Sequence, residues 1–186
     1  MAPRHRIIAT MMMDKDFKNP LTNSIVAFVR NVGLPVVRGE LDDGAFMPGL
    51  ALDGGRIVID EARLLYPGDI LHEAGHLAVL PPDRREHTQG RLGSDGGEEM
   101  GAIAWSYAAA LHIGLDPAVL FHADGYKGGA NALLENFAEE RYVGMPYLQW
   151  LGLTIDPARA AQLGVPPFPH MLRWLCEPAM ASNLAD

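Results

Sequence analysis

Asp69-Ile70-Leu71-His72-Glu73-Ala74-Gly75-His76-Leu77-Ala78-Val79 combines a helical apolar pattern with two histidines and a glutamate. Ile70, Leu71, Ala74, Leu77 and Ala78 recur at helical spacing and form an apolar stripe. Asp69, which follows Pro67-Gly68, is expected to be the N-cap, and Pro81-Pro82 to stop the helix. Inside it, His72, Glu73 and His76 form an HExxH pattern. Histidines four apart share one face of a helix, their Cβ atoms roughly 5–6 Å apart. Two such imidazoles can grip one ion at about 2.0–2.1 Å each. Glu73 stands beside them, where it can hold a water and take its proton. Without an ion, two buried histidines and a glutamate on one helix would be costly. The pattern therefore predicts one zinc ion per chain.

Outward from the motif, the sequence predicts an α+β fold with strands early and helices afterwards. Residues 46–59 read as a β-hairpin: Leu50-Ala51-Leu52, a turn at Asp53-Gly54-Gly55, then Arg56-Ile57-Val58-Ile59. A helix is expected over 23–31 and a short strand over 36–40. Residues 81–97, polar and rich in Gly and Pro, read as a loop. A strong helix follows over 98–113, with Ser94 or Asp95 near its start and Gly114 as its C′ residue. Further helices are expected after Asp116-Pro117, over 130–142, after Asp156-Pro157, and as a last turn or two over 171–176. We expect a single domain over 1–186, with a core at 46–114 and a helical C-terminal extension at 115–186.

Bulk composition narrows the function. Net charge is −8, which argues against a nucleic-acid or anionic-membrane surface. No apolar run approaches the ~20 residues needed to cross a bilayer. The start, with Arg4, His5 and Arg6 before a very short apolar stretch, does not read as a secretory signal. A cytoplasmic location is expected. Cys176 is the only cysteine, so cysteines cannot build a zinc cluster or an internal disulfide. It is read as a small core residue.

A catalytic zinc takes three protein ligands and leaves one position open. After His76 the chain runs Leu77-Ala78-Val79 and then prolines, which excludes a continuation as HxxGxxH. Glu98 and Glu99, at the head of the next strong helix, are the candidates for the third ligand. The Glu99 face continues through Ala102, Ile103, Ser106, Ala110 and Ile113, a row suited to close packing on the motif helix. That favours Glu99. Glu98 remains the alternative and Asp95 a lesser one. Hydrolysis also needs a donor for the developing oxyanion, and Tyr126, Tyr142 and His170 are the candidates. Tyr126, in the turn Tyr126-Lys127-Gly128-Gly129, is the one placed at the site. His112 and His122 are read as helix caps or solvent-facing, His87 as exposed, and Met11-Met12-Met13 as strand or core.

The segment from Gly55 to Ile113 resembles the gluzincin core of the ImmA/IrrE family of cytoplasmic metallopeptidases. A β-hairpin precedes HExxH, and a helix opens with Glu99-Met100-Gly101-Ala102. In that family the ligand glutamate is commonly followed by alanine three residues later, which again points to Glu99. Ile103 stands where the family usually has asparagine. The resemblance covers about a third of the chain. It implies a zincin-like fold, zinc and peptide hydrolysis with a peptide or protein substrate. An extended peptide would add to the free edge of the hairpin, in a shallow cleft between residues 46–59 and 81–97. The reading from another class is a metal-binding regulatory or interaction domain that keeps the site without turnover.

Overall fold

The computed structural model describes residues 17–42, 47–90, 92 and 95–178. The opening helix, α1, runs Pro20–Asn31. Asn19 caps it by accepting a hydrogen bond from the Leu21 N–H at 2.9 Å, and proline at the first helical position needs no such partner. Three short strands follow: β1 (Val36–Arg38), β2 (Leu50–Asp53) and β3 (Arg56–Ile59). They form one mixed sheet in the order β1-β3-β2. β1 lies parallel to β3, with Val37 opposite Val58, and β2 is antiparallel to β3, with Ala51 opposite the same Val58. Gly54 and Gly55 close the β2–β3 hairpin with positive φ values of 56° and 75°. Side chains with a Cβ disfavour that region, so the paired glycines set the turn and hence the register.

The motif helix α2 is Asp69–Val79, three turns long. Gly68, not Asp69, occupies the N-cap position, and no side chain caps the helix. Gly68 fits because a Cβ there would meet the Val119 carbonyl oxygen at 2.2 Å. After Pro81, the expected loop instead holds a short helix α3 (Pro82–Glu86), whose Arg85 donates to the Leu77, Leu80 and Cys176 carbonyls. Thr88 to Gly90 then lies against the outer edge of β2. Gly54 N–H donates to the Thr88 carbonyl at 2.8 Å, and Gly90 N–H to the Leu52 carbonyl at 3.0 Å.

Helix α4 (Gly96–His112) is capped by the Asp95 carboxylate, which accepts from Gly97 and Glu98 N–H. Residues 101 to 110 of α4 are all buried, and most are small. Small residues let neighbours approach closely, and α4 is packed on two sides. One side meets α2. The other meets the helix at Met145–Trp150, whose Tyr147 ring lies over Gly97 and Gly101. The remaining elements are α5 (Pro117–Leu120), a 3-10 turn at Tyr126–Gly128, α6 (Ala130–Ala138), α7 (Met145–Trp150) and α8 (Pro157–Leu163). α6 is shorter than expected, α7 was not expected, and residues 171–176 form no helix. Phe121, Phe137, Leu148, Phe168 and Cys176 from the C-terminal part share one apolar core with Ile57, Leu71 and Trp105. No helix among the described residues is long and apolar enough to cross a membrane. Phe46, Ser94, Met11-Met12-Met13 and the leading Arg4-His5-Arg6 lie outside the described residues.

Candidate metal centre

α2 presents Asp69, His72, Glu73 and His76 at spacings of three, one and three, a polar stripe beside its apolar one. The two histidine rings meet edge to face, their centroids 4.6 Å apart. Their Nε2 atoms stand 3.1 Å apart. Glu99 comes from the first turn of α4 and faces both: one carboxylate oxygen lies 3.3 Å from His76 Nε2, the other 3.6 Å from His72 Nε2. Glu98 points elsewhere and pairs with Arg84 at 2.6 Å. Asp95 serves as the α4 cap. The approach of Glu99 depends on the α2–α4 contact, where Gly75 lies on Ala102 and the Ser106 hydroxyl reaches the Leu71 carbonyl at 3.2 Å.

These residues fit a zinc ion. Bonds of about 2.0–2.1 Å at a tetrahedral angle put neighbouring donor atoms about 3.3 Å apart. The 3.1 Å between the two Nε2 atoms and the 3.3 Å between His76 Nε2 and one Glu99 oxygen lie close to that value, while the second Glu99 oxygen stands 3.6 Å from His72 Nε2. Two neutral imidazoles with one carboxylate are also a donor set that zinc accepts. Glu73 is near as well: it forms with His72 and His76 a group whose ligand atoms lie within 4.8 Å of one another. Of the two carboxylates, Glu99 faces both Nε2 atoms from the opposite helix, whereas Glu73, one residue along α2 from His72, flanks the pair.

The electrostatics follow from burial. His72 is pushed down to about 4, first by desolvation and then by the neighbouring His76. The imidazole is thus neutral near pH 7, the form that binds metals. Glu99 is held below the usual carboxylate range, chiefly by its hydrogen bond with His76 and against an opposing effect of burial. His72 Nδ1 is buried with no hydrogen-bond partner among the described residues. None of the described residues supplies the carbonyl or carboxylate that commonly orients a ligand histidine.

Tyr126 lies at this site. Its ring stands edge-on to His72, centroids 5.3 Å apart, and also packs on Phe121 at 5.2 Å. Its hydroxyl is buried without a partner among the described residues. Burial, followed by the Asp69, Glu99 and Glu73 carboxylates, pushes the phenol well above its ordinary pKa. It is therefore a donor near neutral pH. Tyr142 and His170 are elsewhere. Tyr142 packs on Phe168 at 4.8 Å. His170 lines a cavity of about 290 Å³ with Ala108, His112 and Trp174. His112 is thirteen residues beyond Glu99 on α4, about 20 Å along the axis at 1.5 Å per residue.

His122 is neither a helix cap nor solvent-facing. Its Nε2 lies 2.9 Å from the Asp69 carboxylate, and both side chains are 12% exposed. The contact joins residues 53 apart in the chain, so no local pattern announces it. His112 does reach the surface, beside Phe28 and Trp174, and His87 is exposed. The hairpin edge expected to be open is engaged at both ends: Thr88 to Gly90 covers it at Leu52 and Gly54, and the Leu50 N–H donates to the Met47 carbonyl at 3.2 Å.

Comparison with protein-family models, with curated proteins and with solved structures finds no significant match in any of the three.

Proposed function

We propose that the chain is a zinc-dependent metallohydrolase, a gluzincin-like peptidase similar to the ImmA/IrrE family. The observation that carries this reading is the convergence of His72, His76 and Glu99, from two helices, at separations of 3.1 to 3.6 Å. Glu73 flanks that triangle. A zinc ion held by the three side chains would supply a Lewis acid that brings the pKa of water toward about 7 and polarises a carbonyl. Glu73 would accept the proton of the attacking water and deliver it to the leaving amine. A carboxylate suits both steps because it is not needed to hold the ion. Tyr126 brings a buried hydroxyl with no competing partner among the described residues, suited to hydrogen-bond the oxyanion that develops on the substrate. The substrate would be a peptide that reaches the site without adding a strand to β2, whose outer edge already meets Met47 and residues 88–90.

One observation favours the alternative, a metal-binding regulatory domain without turnover: the Tyr126 ring already packs on His72. The deciding experiment measures metal content and hydrolysis of a fluorogenic peptide library by the wild type and Glu73→Gln. We expect about one zinc per chain in both proteins. Hydrolysis should be present only in the wild type, because an amide cannot take the proton. Absence of tightly bound metal after zinc is supplied would sink the metal centre. Bound zinc with no hydrolysis by the wild type would establish the regulatory reading.

A further inference from the structure

We propose that Asp69 and His122 form a clamp that positions Tyr126 against the metal-binding histidine His72. The proposal rests on the metal-centre reading for its consequence, though not for its geometry. Asp69 begins α2, one turn before His72 on the same face. Its carboxylate holds His122 Nε2 at 2.9 Å. The imidazole is gripped from its face as well. The Tyr66 ring stacks on it, centroids 3.7 Å apart and planes within 9°. Tyr66 is itself tethered, its hydroxyl donating to Asp124. The chain Asp69–His122–Tyr66–Asp124 thus ties residues before the motif helix to the segment that carries Tyr126.

That segment would not choose its shape unaided. Tyr126 and Lys127 are consecutive residues in the left-handed region, with φ values of 55° and 53°. Residues with a Cβ disfavour that region, so surrounding contacts must hold them there. Two sets of contacts do so. The Tyr126 ring rests on His72 and Phe121. Immediately before it, Gly125 lies on the His122 ring, where a Cβ would stand 3.1 Å from both Cε1 and Nε2. Gly125 N–H also donates to the His122 carbonyl at 3.0 Å. His122 is therefore the platform on which the turn is set, and Asp69 fixes the platform to the metal helix. An acid in the first turn of a helix is favourable on its own account. It would not, however, require a histidine stacked beneath a tyrosine and packed against the glycine that opens the turn. His122 and Asp69 act as positioning residues, through Tyr126.

The test uses the full-length, metal-free protein with isotope-labelled histidine. A tyrosine ring edge-on to His72 shifts the His72 ring-proton resonances, and Tyr126→Leu gives their positions without that ring. We expect His122→Ala to move the His72 resonances to the Tyr126→Leu positions. Asp69→Asn, which keeps an acceptor oxygen but loses the charge, should move them part of the way. Zinc affinity, read by chelator competition, should fall on the order of tenfold in His122→Ala, the scale for groups that orient a ligand histidine. A purely structural pair would lower the melting temperature while leaving the His72 resonances in place. Wild-type resonances in both variants would overturn the clamp, and Asp69→Asn decides alone if His122→Ala does not fold. A wild type that binds no zinc would overturn the metal reading instead, with the resonances still reporting on the clamp.

Discussion

Gly75 on α2 lies directly on the backbone of Ala102 on α4: a Cβ at Gly75 would stand 2.6 Å from the Ala102 carbonyl oxygen and 3.0 Å from Ser106 Oγ. The third residue between the two motif histidines thus has a structural task of its own. It sets how closely the helix bearing His72 and His76 approaches the helix bearing Glu99. The donor-atom separations at the site depend on that distance.

Gly75→Ala should therefore weaken the metal centre without touching a ligand. Alanine is the better helix former by about 1 kcal/mol. Against that, the new methyl meets backbone that cannot rotate away, and overpacking of this kind costs about 1–3 kcal/mol. We expect a lower melting temperature and weaker zinc binding, read by thermal unfolding and chelator competition. A variant that is more stable and binds zinc as before would show that the helix contact does not tune the site.

Glu99→Gln should lower zinc affinity far more than Glu98→Gln. The first replaces an anionic oxygen that faces both histidines with a weak amide carbonyl. The second removes the partner of Arg84, a charge that is turned away from both histidines. Metal titration of the two variants decides the assignment. The reverse order would move the ligand role to Glu98.

The motif helix and the hairpin were legible because their signals are local. An apolar stripe stopped by Pro81-Pro82 marks α2, and Asp53-Gly54-Gly55 between the apolar runs Leu50-Ala51-Leu52 and Ile57-Val58-Ile59 marks the turn. What escaped was set by distant partners. Residues 171–176 read as helical, yet their backbone groups are taken by other parts of the chain. Cys176 N–H donates to the Ala78 carbonyl, Leu172 N–H to the Leu153 carbonyl, and the Trp174 carbonyl accepts from the Trp105 indole. α7 is only six residues long and opens on Gly144 at a φ of 82°, too short to show a period. Asp69 looked like a cap because of its type and place, but its carboxylate is committed to His122. Helical periodicity favoured Glu99 over Glu98 without deciding between them; the orientation of α4 on α2 is a tertiary quantity.

Stability of the metal-free protein should fall as pH drops from about 6.5 to about 4. His72 titrates near 6.5 when unfolded but is held to about 4 in the fold by burial and then His76. Between those values the unfolded chain binds the extra proton, so acid favours unfolding, by up to roughly 3 kcal/mol for this one group. Glu99 works in the same direction, since its depressed pKa means stability is lost as it protonates. Asp69, raised by burial, opposes both. Urea unfolding of the chelated protein at pH 7.5 and pH 5 should show the loss, and a flat profile would contradict the buried, neutral His72. Zinc-loaded protein should fall more steeply, because protons compete with the ion for the histidines.

Tyr126→Phe separates the hydroxyl from the ring. The phenyl keeps the edge-on contact with His72 and the contact with Phe121, so the turn should hold its shape. The substitution also removes a buried hydroxyl that has no partner among the described residues. Deleting an unsatisfied buried group is neutral or stabilising. We therefore expect metal-free stability equal to or above that of the wild type. Turnover should respond in the opposite sense. A donor that engages only the oxyanion contributes to the transition state and not to ground-state binding, so kcat should fall by about 10²–10³ with KM little changed. Zinc content should be unaltered, which distinguishes loss of a donor from loss of the ion. A variant with wild-type kcat would leave Tyr126 as a packing residue on His72 and return the oxyanion role to another group.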